Sequence, residues 1–130
     1  MAITVLGVSA ASPSAAKLFD IFCYVEGKPD PGEAVCVIPV PSDVTVTFQA
    51  NFVNSRGGLD ANPTSTATYT VYVSGSSIGT FSISTGGVFT WATNSGAAQT
   101  APPNSEIKIK APTVQDATLS GVRFCLAATR

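Results

Sequence analysis

The stretch Thr64-Ser-Thr-Ala-Thr-Tyr-Thr-Val-Tyr-Val73, followed by Ser74-Gly-Ser-Ser77 and Ile78-Gly-Thr-Phe-Ser-Ile-Ser84, decides the fold. Tyr69, Val71 and Val73 alternate with Thr68, Thr70 and Tyr72, the period of two that marks a half-buried strand. Ser74–Ser77 is turn chemistry, and the next run again directs apolar side chains, Phe81 and Ile83, to one face. Gly86-Gly87 supplies a second tight turn. It leads into Val88–Thr93, where Phe89 and Trp91 share a face.

The same grammar extends in both directions. Upstream, Leu18–Val25 places Phe19, Ile21, Cys23 and Val25 on one side and Asp20 on the other. Ser14–Leu18 has room for a single helical turn at most. Glu26–Glu33 is dense in Gly and Pro and reads as a loop. Ala34–Val40 is short and continuously apolar, so it is expected as a central strand that Pro39 and Pro41 terminate. Val44, Val46 and Phe48 alternate with Thr45 and Thr47. Gln49–Asn62 is the longest expected loop. Downstream, Asn94–Asn104 is small and polar, and Glu106–Lys110 points Ile107 and Ile109 inward. Ala111–Asp116 is a loop, and Thr118–Ala128 aligns Val122, Phe124 and Leu126. Seven or eight strands with regular turn signals predict an all-β fold, a single antiparallel β-sandwich or jelly-roll-like domain. The domain is expected over residues 15–130, with an N-terminal arm at 1–14.

Composition narrows the function. Of 130 residues only 12% are charged, against about 25% in an average soluble domain, and 14 Ser and 15 Thr fill the gap. The net charge is −1, and the longest basic run is Lys108-Ile-Lys110, which argues against a nucleic-acid footprint. The chain has no histidine, so imidazole metal sites and histidine-based triads or dyads are excluded. Asp20, Glu26, Asp30, Glu33 and Asp43 lack the ligand spacing of a calcium loop. No pair of carboxylates is marked out for hydrolysis. The expectation is a protein that is not an enzyme and needs no cofactor or metal.

Cys23, Cys36 and Cys125 all sit in apolar runs without a CxxC pairing, and are expected as buried free thiols in a reducing compartment. Only Arg123 places a cation near one of them, too little to activate a thiol. The apolar start around Ile3, Val5, Leu6 and Val8 has no charged residue before Lys17, so it reads as an arm or edge strand rather than a secretion signal. No window is apolar enough for a membrane helix.

Trp91, Tyr24, Tyr69 and Tyr72 are the rings that could stack on a sugar. Trp91 and Tyr69 fall in register with core positions, whereas Tyr72 shares its face with Thr68 and Thr70. A Ser/Thr-coated, charge-poor face is cheap to desolvate against a partner compared with a charged one. The candidate partner contacts are therefore Ile3, Val5, Leu6 and Val8 of the arm, Tyr72, and Arg56 in the Ser55–Asn62 loop.

Four stretches carry a resemblance: Phe48-Gln-Ala-Asn-Phe-Val-Asn-Ser-Arg-Gly-Gly58, Asn62-Pro-Thr-Ser-Thr-Ala-Thr-Tyr-Thr-Val71, Val73-Ser-Gly-Ser-Ser-Ile-Gly-Thr-Phe-Ser-Ile83, and Pro102 to Leu119, running on to the terminal Thr129-Arg130. Over about residues 34–130 the chain resembles a β-sandwich module of tailed-phage and prophage virion structural proteins. That family often has Asn-Gly where Ser74-Gly75 stands, and Gly-Asp in the stretch Pro103–Glu106. The shared motifs are turn and strand chemistry and bring over no catalytic residue. As a stand-alone domain without a fibre shaft, the chain is similar to head decoration (cement) proteins. That likeness implies a major capsid protein as partner, a homo-oligomer such as a trimer, synthesis in the host cytoplasm and a place on the capsid surface. A receptor- or glycan-binding module of a head or tail fibre is the alternative, and a tail or baseplate component a further one.

Overall fold

Alternation of apolar with small polar residues becomes strand wherever turn formers interrupt it, and a computed structural model shows where. It describes residues 17–130; the expected arm at 1–14, with Ile3, Val5, Leu6 and Val8, lies outside the described residues. Ten strands follow in order: β1 (Ile21–Tyr24), β2 (Ala34–Pro39), β3 (Val46–Phe48), β4 (Arg56–Gly58), β5 (Ala67–Val73), β6 (Ser76–Ile83), β7 (Phe89–Thr93), β8 (Gln99–Ala101), β9 (Glu106–Lys110) and β10 (Arg123–Leu126). All pairings are antiparallel. A five-stranded sheet has the order β2-β9-β5-β6-β7, a three-stranded sheet β1-β10-β4, and β3 pairs with β8. The β5–β6 hairpin turns through Ser74 and Gly75, both at positive φ (47° and 89°). That is the twist a two-residue connection between right-twisted strands requires.

The sheets pack face to face, as expected of a β-sandwich. Tyr69, Phe81 and Ile83 from the large sheet and Phe124 and Leu126 from the small one are buried between them. Tyr69 and Phe81 stack with ring centroids 4.9 Å apart, and Phe81 meets Phe124 across the layers at 4.9 Å. Each such side chain contributes about 1.5–3 kcal/mol by leaving water, so this aromatic column anchors the two layers. Gly57 lets them approach: a Cβ there would run into the Phe89 ring. Trp91 lies half-buried at the margin, 4.8 Å from Phe81 between centroids.

Three expectations are corrected. Among the described residues Ala34–Pro39 is an edge strand, paired only with β9, and its side chains are half-buried or exposed rather than central. Its apolar run serves two half-covered surfaces instead of one deep core. Strands β4 and β8 arise inside expected loops, because Arg-Gly-Gly and Gln-Thr-Ala carry no apolar alternation and form by pairing with neighbours that do. Finally, Cys23 and Cys36 are not free thiols. They form a disulfide with Cα atoms 6.3 Å apart. Both face the sandwich interior from edge strands, one in each sheet, so the bond ties the small sheet to the large one. Cys125 is the single free cysteine.

Candidate functional site

The two outer faces of the sandwich differ in chemistry. On the large sheet, register aligns Thr68, Ser82 and Thr90 in one cross-strand row and Lys110, Thr70, Thr80 and Ala92 in the next. Tyr72 pairs with Lys108 and lies half-buried. Its ring is covered by the Lys110 ammonium, 5.2 Å from the centroid. A groove of about 670 Å³ runs along this face, between Thr68, Thr70 and Tyr72 on one side and the 111–117 loop on the other.

That groove wall is fixed by Asp116. Its carboxylate accepts hydrogen bonds from the backbone N–H groups of Thr64, Ser65, Thr118 and Leu119 and from the hydroxyl of Thr64, at 2.8–3.2 Å, while the Thr118 hydroxyl donates to the Asn62 carbonyl at 2.6 Å. The Thr118 N–H leads the donors that hold its carboxyl well below the usual carboxylate range. Asp116 is thus a structural clasp between two loops 52 residues apart.

The small sheet presents the opposite character. With Ile21 and Val25 buried, alternation turns Phe22 and Tyr24 outward, 76% and 59% exposed, and Leu18 follows them at 73%. Across the sheet, Tyr24, Arg123 and Gly58 form one row and Phe22, Cys125 and Arg56 the next. Arg123 donates to Asp60 Oδ1 at 2.8 Å and to the Gly121 carbonyl at 3.0 Å. Its guanidinium lies close over the bare Cα of Gly58. Arg56 has no acidic partner among the described residues. Phe22, Tyr24, Arg56, Arg123 and Cys125 line an open trough of about 500 Å³. Burial first, and the Asp20 charge second, push the Cys125 thiol up, so the thiol form prevails at neutral pH and nothing here activates it as a nucleophile.

Of the residues singled out by sequence, Tyr72 and Arg56 are therefore on opposite faces and do not form one surface. Tyr69 is fully buried, as expected from its register. The Ser55–Asn62 segment is tied down at both ends, Ser55 Oγ accepting from the Ala127 N–H and Asp60 holding Arg123. Phe22 was missed, although the alternation that buries Ile21 and Cys23 was the signal for it. The roles of Arg123 and Gly58 depend on a cross-strand register that spacing does not reveal. Among the described residues no group of three or more His, Cys, Asp or Glu side chains is placed to hold a metal. No family model, no curated protein and no solved structure matches this chain.

Proposed function

We propose that this protein is a phage virion structural protein that binds as a decoration (cement) protein between capsid subunits, docking through the outer face of its large sheet. The observation that carries the reading is the surface chemistry of that face. Thr68, Ser82 and Thr90 form a cross-strand row without charge, Thr70 and Thr80 lie in the next, which ends at Lys110, and the other charges of this face, Glu106 and Lys108 on β9 and Asp116 in the groove wall, sit at its margin. Hydroxyl-bearing residues stay wetted in the free protein, yet are far cheaper to desolvate than charges when a partner covers them. A rigid five-stranded sheet offers such a face without ordering cost, and the contact repeats over a shell, so modest individual affinities add through avidity. The virion-module resemblance, the size and the low charge point the same way.

The test is binding to shells assembled from the major capsid protein. The protein should saturate them at a copy number commensurate with the capsid lattice and raise their disruption temperature. Thr80→Glu, which places a carboxylate mid-face, should fold normally and lose about tenfold or more in shell binding, given the cost of burying an unpaired charge. A few copies per particle, or binding indifferent to Thr80→Glu, would count against the proposal.

A further inference from the structure

We infer that the outer face of the small sheet is a binding site for a carboxylated saccharide, which stacks on Phe22 and Tyr24 and presents its carboxylate to Arg56 and Arg123. The inference is independent of capsid docking, which uses the other side of the sandwich.

Spacing is the first argument. Phe22 and Tyr24 are two residues apart on β1 with the same outward direction, hence about 6.6 Å apart along the strand. That suits one or two pyranose rings, whose C–H faces are apolar and pack on aromatic rings. Arg56 stands two strands away, about 9.6 Å across the sheet, with only Cys125 between it and Phe22. Arg123 lies between Tyr24 and Gly58, where the missing side chain lets its guanidinium lie down against the sheet. A ring resting on the aromatic pair therefore projects an equatorial carboxylate over the small thiol toward the arginines.

Charge is the second argument. Asp60 neutralises and orients Arg123, fixing it by one ion pair and one carbonyl contact while its remaining N–H donors stay available. Arg56 adds a cation without an acidic partner among the described residues. Asp20, whose charge reaches Cys125, and Asp60 offset the two cations overall, so the positive charge is local to the guanidinium groups beside the two rings, where it is complementary to an anion with an apolar face. Strand β10, the floor of the trough, is paired on both sides, so no main-chain ladder opens into the trough itself. Recognition within it comes from side chains, which suits a sugar better than an extended peptide.

The probes are a hyaluronan tetrasaccharide, a trigalacturonate and 3′-sialyllactose, with neutral cellotetraose as comparison, each titrated by calorimetry and by amide chemical shifts. At least one anionic probe should bind, shift the amides of β1, β4 and β10, and weaken as salt is raised. Cellotetraose should bind about tenfold more weakly or not at all. Arg56→Ala and Tyr24→Ala, both at exposed positions, should each weaken the anionic probe by about tenfold, whereas Tyr72→Ala on the opposite face should leave it unchanged. Alkylation of Cys125 should slow when that probe is bound. The inference is overturned if none of the three anionic probes binds, if the neutral sugar binds equally well, or if Tyr72→Ala matters as much as Arg56→Ala. None of these outcomes bears on shell binding, which Thr80→Glu reports separately.

Discussion

Asn51 and Thr93 clasp each other across 42 residues: the Asn51 N–H donates to Thr93 Oγ1 at 2.9 Å, and Asn51 Oδ1 accepts from the Thr93 N–H at 3.2 Å. The exchange caps one end of β7, the outermost strand of the large sheet among the described residues, with a side chain at Thr93 in place of another strand. Asn suits the position twice, because its backbone is also left-handed at φ 54°, a conformation Asn tolerates better than most residues. Thr93→Val, which keeps the shape but removes the hydroxyl, should cost about 1–2 kcal/mol by orphaning the Asn51 N–H. Asn51→Ala should cost more, since it adds backbone strain. Urea unfolding of both variants checks the order; equal effects would mean the backbone term is absent.

Tyr69 is fully buried with its hydroxyl unpartnered, and burial pushes its pKa up to about 12. Removing an unsatisfied buried polar atom is favourable, so Tyr69→Phe should stabilise the protein by about 1 kcal/mol at neutral pH. The alkaline limb gives a second readout. A phenol whose folded pKa exceeds its unfolded value of about 10 contributes fully below pH 10 and loses that contribution as pH rises through 12. The wild type should therefore lose on the order of 2–3 kcal/mol over that window from this residue alone. The variant should be spared that loss.

Acid should act through Asp116. Its carboxyl is held low by the N–H and hydroxyl donors of the clasp, so its contribution is complete above about pH 4, the unfolded value, and is lost as pH falls further. Asp116→Asn replaces an acceptor with an amide whose N–H groups face other donors, and should lower the melting temperature at pH 7. It should also flatten the decline below pH 4. A melting series from pH 2 to 7 on both proteins separates the two effects, and an unchanged acid limb would exclude Asp116 as its source.

Replacing both Cys23 and Cys36 with Ser should destabilise by about 3 kcal/mol, the loop-closure value for a ring of this size. Dithiothreitol should bring the wild type down by a similar amount and leave the double variant unmoved. Non-reducing peptide mapping should recover the two cysteines in one linked fragment.

The hairpins β5–β6–β7 and strands β1, β9 and β10 were legible because their side chains alternate over four or more residues and one face is buried or half-buried. Strands β4 and β8 were not, since three-residue segments rich in Gly or small polar side chains take their conformation from partners distant in sequence. The central placement expected of Ala34–Pro39 failed for a related reason. An apolar run records that both surfaces are partly covered, not which neighbour covers them, and here one flank is the end of the sheet. The disulfide was hidden because 13 residues of sequence separation say nothing about two edges meeting. At the candidate sites, exposure of Tyr72 was only half right, since Lys110 roofs its ring. Phe22 was readable from alternation, whereas its alignment with Cys125 and Arg56 exists only in the register.

The Cys23–Cys36 bond also determines what a protease can achieve. It encloses the Glu26–Glu33 loop, the exposed connection between β1 and β2, in a covalent ring. One cut in that ring opens the chain without releasing either piece. The nicked protein keeps both sheets joined and migrates as one species until a reductant is added. Cleavage there would go unnoticed on a non-reducing gel, and the protein would tolerate digestion at this loop in surroundings where its thiols stay oxidised.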